Sequence, residues 1–149
     1  MKLLTVYILY SGDVNYWDFD RTVRSLVGGD VSEEDFDIEV LKPGTDFNLL
    51  VPNTKWKMFL YSDEWLSKHL LETLPIYLTQ DQYNVLSVFR MKDPGRIRTQ
   101  DDERISVCPR IFHSDIPLKP DSLVPDEENY HSGTLKYTRV FDGFVFGEL

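Results

Sequence analysis

Cysteine pairs, long apolar runs and excess basic charge are all missing from this 149-residue sequence. A single cysteine, Cys108, excludes an internal disulfide and any zinc cluster built from cysteines. The apolar run at 3–10 is too short to span a bilayer, and no small-residue cleavage site follows it, so we interpret it as a strand. We therefore expect a chain that works in a reducing, cytoplasmic setting.

Basic residues are too few for general binding to nucleic acid. The sequence has 16 Lys and Arg against 25 Asp and Glu, a net charge of −9. Nucleic-acid binding requires cations that displace counterions from phosphates, so we expect no nucleic-acid partner. The middle of the chain departs from this balance, because Lys55 and Lys57 flank Trp56 and four basic residues fall within 90–98. These groups can neutralise a bound phosphate, or they can simply face solvent.

Two common nucleotide-binding signatures are absent as well. No G-x-G-x-x-G stretch marks a dinucleotide site, and no G-x-x-x-x-G-K-[ST] stretch marks a P-loop. A nucleotide site in this chain would therefore use loops of another kind.

The residues that are present predict a single α/β domain over 1–149. Apolar residues make up 42% of the chain, enough for one core. Apolar periodicity and turn residues predict alternating strands and helices. In chain order these are strand 3–10, a helix over about 16–27, strand 36–41, turn 42–46, strand 56–61, a helix over 64–78 disturbed at Pro75, strand 83–91, strand 104–112 broken at Pro109, a loop over 117–133 and a strand over 134–149.

This alternation predicts a Rossmann-like fold, with a mostly parallel central sheet and helices on both faces. Ligands of such sheets bind beyond the carboxyl ends of the strands. The rule selects three turns, at 11–15, 42–46 and 62–64, and each carries Asp, Gly or Ser. We expect a polar binding site where these turns meet.

The third of these turns, Ser62-Asp63-Glu64, allows two interpretations. Ser62 or Asp63 can cap the helix that follows, with the acids of the first turn favoured by the helix dipole. Alternatively, the carboxylates can hold a hard cation such as Mg²⁺ or Mn²⁺ together with a phosphate. Spacing alone leaves both open.

Four segments of the chain resemble, in order, segments of the family 2 glycosyltransferases that have the GT-A fold. The best of them is MFLYSDEWLSKHLLETL (58–74), which is similar to a family segment that reads like F-L-D-A-D-E-W-L-S. TVYILYSGD (5–13) resembles the first strand and the nucleotide-binding turn. FDIEVLKPGTD (36–46) resembles the second strand and its turn, and SVCPRIFHSDIPL (106–118) a later segment.

The resemblance implies a GT-A nucleotide-diphospho-sugar transferase that uses Mn²⁺ or Mg²⁺. Asp63 matches the second, metal-binding aspartate of the family's D-x-D motif, while Tyr61 stands where the first should be. Pro43 stands near the family's base- or ribose-binding acid, and Asp46 matches the last aspartate of that turn. The catalytic base is an acid in the later half of the family, and no late acid here matches its pattern.

The resemblance also implies a set of binding residues. His131 is a further candidate metal ligand beside Asp63, and Lys55, Lys57 or Arg110 can neutralise phosphate charge. The implied nucleotide-sugar contacts are Ser11, Gly12, Asp13, Asp46, Ser62 and Arg110.

Two other hypotheses remain. A GT-A-like domain that has lost catalysis can bind a basic protein partner through acidic stretches such as 32–37 and 125–128, and act as an inhibitor. The loss of the first D-x-D acid at Tyr61 favours this alternative. A different nucleotide-binding α/β domain with an unrelated reaction is the third hypothesis.

Overall fold

The computed structural model describes residues 2–10, 16–27, 36–92, 105–131 and 133–147, with Tyr16 and Val27 described by their backbone alone. It has seven strands and two α-helices in these segments. They are β1 (Leu4–Leu9), α1 (Tyr16–Val27), β2 (Phe36–Leu41), β3 (Trp56–Tyr61), β4 (Glu64–Leu66), α2 (Lys68–Leu78), β5 (Val85–Met91), β6 (Ile105–His113) and β7 (Tyr137–Gly147). Short 3₁₀ turns lie at Phe47–Leu49 and Glu127–Asn129.

The sheet is mixed, and a mostly parallel sheet is not confirmed. Its strand order is β2-β1-β3-β6-β5-β7-β4. The pairs β1–β2, β1–β3 and β5–β7 are parallel, whereas β3–β6, β5–β6 and β4–β7 are antiparallel. The predicted parallel order is not met around β6, which follows β5 directly along the chain and runs antiparallel to both β5 and β3. Strands β1, β2 and β3 keep the parallel order that the alternation of strands and helices predicts.

Both α-helices contribute to the same core cluster, so helices on both faces are not confirmed either. Leucines of α2 and Leu26 of α1 pack with Leu4, Val6 and Ile8 of β1. Alternate β1 residues point to the opposite face, where Tyr7 joins Phe59 and Phe112 in a second cluster. That cluster is completed by the 3₁₀ turn at 47–49 and by loop residues over 116–135.

The sheet curls back on itself. β3 and β4 are joined by Ser62 and Asp63 alone, yet they stand third and seventh in strand order. The edge strand β4 is therefore brought round to the end of β3. There the outer side of β4 meets α1, and the Leu66 backbone N–H donates to Ser25 Oγ at 3.1 Å.

The second helix begins later than its periodicity predicts. Ser67 is its N-cap and accepts from the Leu70 N–H at 3.2 Å, whereas Glu64 lies in β4. Neither Ser62 nor Asp63 caps the helix, so the capping interpretation of that turn is wrong. Two prolines also break less than predicted: α2 continues through Pro75, and β6 runs through Pro109 with a register shift opposite Leu86 and Ser87.

Neither helix in the described residues is both long and apolar enough to cross a membrane.

Candidate functional site

A cleft of about 480 Å³ opens at the carboxyl ends of β1, β2 and β3. Parallel strands bring these three ends to one edge of the sheet, which is where open α/β sheets bind ligands. The wall facing them comes from Phe47 and from loop residues at 120–121. The lining residues are Leu9, Tyr10, Leu41, Lys42, Pro43, Gly44, Thr45, Phe47, Tyr61, Pro120 and Asp121.

The cleft is largely apolar, with aromatic rings and two charges among its described lining residues. Tyr10 and Tyr61 are 38% and 46% exposed, and Phe47 is half-buried against Phe59. The charged lining residues are Lys42 and Asp121. Flat apolar surface beside a few polar groups suits a ligand that has a planar ring and hydrogen-bonding substituents.

Beside the cleft, Glu64 lies in a buried ion-pair cluster. The Glu64 side chain is fully buried, and its Oε1 and Oε2 accept from Arg110 Nη1 at 2.6 Å and Nη2 at 3.0 Å. Arg90 Nε adds a third bond to Oε2 at 2.7 Å. Gly147 on β7 is the pairing partner of Glu64 on β4. It leaves the space that the Arg90 guanidinium occupies, because a Cβ at this position would collide with that group.

The cluster replaces a missing stretch of strand pairing. β6 pairs with β3 only from Trp56 to Met58, so the rest of β3 loses its ladder on that side. The Phe59 carbonyl accepts from Arg110 Nη1 at 3.3 Å instead, and the Tyr61 N–H donates to Glu64 Oε1 at 2.8 Å. Buried backbone groups need such partners, so the charged side chains satisfy what the diverging strand leaves open.

Burial alone would raise the pKa of the Glu64 carboxyl, but hydrogen bonds and charge from Arg110, then Arg90 and the Tyr61 N–H, hold it below its usual range. Burial likewise opposes the charge of Arg110, yet Glu64 raises the pKa of the guanidinium overall. Both groups are therefore charged at neutral pH. Glu64, the last residue of the turn 62–64, is therefore a structural partner of two arginines.

Arg110 links this cluster to the cleft. Its guanidinium lies over the Tyr61 ring, 5.0 Å from the centroid, and Tyr61 lines the cleft. Arg110 itself is only 6% exposed and is not a lining residue. The structure thus places Arg110 behind Tyr61, outside the lining of the cleft.

Of the other predicted binding residues, Asp46 lies beside the cleft and Ser62 lies beneath its rim. Asp46 caps the 3₁₀ turn, with Oδ1 accepting from the Asn48 N–H at 2.9 Å. Ser62 is 1% exposed, and its backbone binds the Leu9 carbonyl and the Thr22 hydroxyl. Ser11, Gly12 and Asp13 fall outside the described residues.

Lys55 and Lys57 do not reach the cleft. Lys55 pairs with Asp81 at 2.7 Å on the surface. Lys57 is 1% exposed and donates to three backbone carbonyls, those of Leu50, Ser114 and Ile116. Neither can neutralise a phosphate in the cleft from these positions.

The structure does not bring the two predicted metal ligands together. Asp63 lies two residues beyond the end of β3, whereas Tyr130, next to His131, neighbours Asn84 and Asp115. Asn84 bonds to His113, which pairs with Trp56 at the start of β3. The two candidates therefore lie toward opposite ends of β3, a strand about 16 Å long, whereas ion-to-oxygen distances are about 2–2.6 Å. Within the described segments no three His, Cys, Asp or Glu side chains gather to hold a metal ion.

Sequence reasoning located the edge of the sheet but missed most of the lining. The turn 42–46 was predicted, and it supplies Lys42, Pro43, Gly44 and Thr45. Asp121 was one of several unassigned late acids, in a loop whose path no local pattern reveals. Phe47 carried no polar signal at all, although an aromatic residue directly after a predicted binding turn is a usable hint.

Solved structures of the S. aureus protein TarS resemble this fold. TarS matches over 100% of this chain and 37% of its own, with a TM-score of 0.58 and 12% identity. TarS 1–349 in complex with UDP-GlcNAc matches over 98% and 58%, again with a TM-score of 0.58 and 12% identity. TarS 1–349 in complex with UDP matches over 94% and 61%, with a TM-score of 0.50 and 15% identity.

At this identity the likeness shows the fold alone, a fold that this chain shares with part of TarS. The chain spans about 37% of TarS and about three fifths of the 1–349 portion. No protein-family model and no curated protein sequence matches it.

Proposed function

We propose that this chain binds a nucleotide-diphosphate sugar in the cleft at the ends of β1, β2 and β3 and transfers the sugar to an acceptor. The observation that carries the proposal is the position of the cleft. It opens at the carboxyl edge of the parallel half of a sheet whose fold resembles TarS, a protein solved with UDP-GlcNAc and with UDP. Its aromatic, weakly polar lining suits a nucleoside.

The lining residues have distinct roles in this proposal. Tyr10, Phe47 and Tyr61 offer ring faces to the base, since planar rings stack at low entropic cost. Lys42 supplies a cation for the diphosphate, and Asp121 accepts from sugar or ribose hydroxyls. Asp46 holds the 3₁₀ turn that carries Phe47, so it supports the cleft through that turn.

Among the described residues, no three His, Cys, Asp or Glu side chains gather to hold Mn²⁺ or Mg²⁺. Tyr61 stands in place of the first D-x-D acid, and His131 lies toward the opposite end of β3 from Asp63. We therefore propose no step through a metal. Asp63 stays the candidate ligand for an ion that enters with the donor's diphosphate oxygens.

A second function is favoured by this poor set of metal ligands: binding without transfer. The cleft would then hold a nucleotide, or the acidic surface would bind a basic protein. Glu127 and Glu128 of the predicted acidic patch are exposed, while residues 32–35 lie outside the described segments. Only the first half of this alternative involves the cleft.

A thermal-shift screen tests the proposal. UDP, ADP, GDP and their sugars are added with and without Mn²⁺, since a ligand that binds the folded state alone raises the Tm. We expect a rise with one nucleotide class, reduced in Lys42→Glu and kept in Lys68→Glu. The two variants change net charge equally, and Lys68 lies on the exposed start of α2.

Two results would count against the proposal. No shift with any nucleotide in the panel removes the cleft as a donor site. A shift that Lys42→Glu leaves intact removes the assigned location. If the shift occurs but UDP is never released from a bound UDP-sugar in the presence of test acceptors, the second function takes its place.

A further inference from the structure

Lys57 is a buried lysine that does not contact the proposed donor site. It is a buried cation on β3, 1% exposed, and points away from the helices into the second core cluster beside Phe112, its partner across β6. A buried ammonium is costly unless hydrogen bonds satisfy it. This one is satisfied by backbone carbonyls and by no buried carboxylate within hydrogen-bonding distance among the described residues.

The three carbonyls come from two separate segments of chain. Leu50 O, at 3.2 Å, ends the segment 46–50, while Ser114 O at 3.4 Å and Ile116 O at 2.6 Å begin the segment 114–121. Neither segment belongs to a strand that pairs with the other. The Lys57 ammonium therefore bonds both segments to β3, near the start of that strand.

The same two segments form one wall of the cleft. Phe47 comes from the first, and Pro120 and Asp121 come from the second. Further bonds tie them to each other: the Phe47 N–H donates to Pro120 O at 3.0 Å, and Asn48 Nδ2 donates to Leu118 O at 2.9 Å. Lys57 adds a bond from β3 to each segment, beside the bonds that Ser114 donates to the Lys55 and Thr54 carbonyls.

We propose that Lys57 is a positioning residue of the cleft: its ammonium, bound to carbonyls of both wall segments, fixes the distance between that wall and the strand ends. The inference rests on the proposed function for its effect on binding, though not for its effect on the wall. In this role Lys57 supports the cleft without touching the ligand.

The test compares Lys57→Met with Lys55→Met. Each removes one positive charge from the same stretch, but Lys55 pairs only with Asp81 on the surface. Backbone amide exchange is followed at residues 47–50, at the non-proline residues of 116–121 and, as an internal reference, across β1. We expect protection to fall in the two wall segments of Lys57→Met while β1 stays protected, and to be unchanged in Lys55→Met.

Nucleotide affinity gives the second readout. We expect Lys57→Met to weaken binding of UDP about fivefold, because an unfixed wall must be ordered on binding, and Lys55→Met to leave it unchanged. Asn48→Ala, which removes only the Asn48–Leu118 bond, should give the same local pattern in weaker form. Should Lys57→Met fail to fold, Lys57→Arg gives the same comparison against Lys55→Arg, because a guanidinium keeps the charge but cannot place one ammonium on all three carbonyls.

The outcomes separate the two proposals. Wall segments that keep full protection in Lys57→Met, or that lose it only together with β1, overturn the positioning role. Local loss of protection with unchanged UDP affinity overturns its link to the cleft. A wild-type chain that binds no nucleotide while its wall loosens in Lys57→Met contradicts the proposed function and leaves the anchor standing.

Discussion

Arg110 and Glu64 meet in a two-pronged ion pair, Nη1 to Oε1 at 2.6 Å and Nη2 to Oε2 at 3.0 Å, at the point where β6 stops following β3. The same two side chains bond the Phe59 carbonyl and the Tyr61 N–H, which the departing strand leaves without ladder partners. The pair therefore supplies the hydrogen bonds that a neighbouring strand would otherwise make with the end of β3. It also fixes the end of β3, from which Tyr61 reaches the cleft.

Removing the charge of Glu64 should destabilise the fold strongly. Glu64→Gln leaves two guanidinium groups, one of them buried, without their counter-ion, which typically costs about 3–5 kcal/mol. Urea unfolding measures the change in the free energy of unfolding. Glu72→Gln is the control, since Glu72 faces solvent near Lys68 at 3.8 Å and should change stability by less than about 0.5 kcal/mol. Similar small losses in both variants would contradict the role of the cluster.

Acid should remove the advantage that Glu64 provides. Its pKa is lower in the folded state than in the unfolded state, so the unfolded chain takes up the proton first as the pH falls. The stabilisation is complete above the unfolded pKa and is lost as the pH falls through the folded pKa. The difference in stability between the wild type and Glu64→Gln should therefore shrink on acidification. A difference that stays constant from neutral to acidic pH would show that Glu64 is not ionised.

Lys57 should make stability depend on pH in the alkaline range. Burial lowers the pKa of its ammonium to about 8 and the nearby charge of Asp115 opposes this shift, whereas the pKa of a lysine in the unfolded chain is 10.5. Between these values the unfolded chain binds the extra proton, so stability rises with pH. Relative to Lys57→Met, the wild type should gain stability from pH 8 to 10.5. A falling difference over that window would contradict a depressed pKa.

Gly147 should be sensitive to the smallest possible addition. A Cβ at this position meets the Arg90 guanidinium, so Gly147→Ala must displace Arg90 from Glu64 or bend β7. Such overpacking typically costs about 1–3 kcal/mol. In an Arg90→Ala background the obstacle is gone, and the same substitution should cost about 0.5 kcal/mol or less. Equal costs in both backgrounds, measured by urea unfolding, would place the strain elsewhere.

The sequence predicted the parallel half of the fold well, because β1 and β3 are buried apolar strands and β2 alternates apolar and acidic residues before a clear turn. β2 and β3 have the predicted bounds, 36–41 and 56–61. It could not predict β4, since Glu64–Leu66 is three residues long and its pairing with β7 is set by the curl of the sheet. Its apolar residues instead extend the periodicity of α2.

The candidate site was predictable in location and less so in content. The strand-end rule selected the turns 11–15, 42–46 and 62–64. Residues 42–45 line the cleft and Tyr61 brings it next to 62–64, whereas 11–15 lies outside the described residues. Apart from Leu50, the partners that give Arg110 and Lys57 their roles are 46 to 59 residues away, which no local pattern encodes. Charged residues near a predicted site were therefore assigned to a ligand, whereas the structure gives them buried protein partners.

The most direct test of the nucleotide site is to map UDP onto the folded chain by NMR, following backbone amides during a titration. We predict saturable shifts at Leu41, Gly44, Thr45, Phe47 and Tyr61, which line the cleft. Amides near His131, at the other end of β3, should not move. Shifts confined to that far end, or no saturable shift at all, would contradict a nucleotide site at the carboxyl ends of β1, β2 and β3.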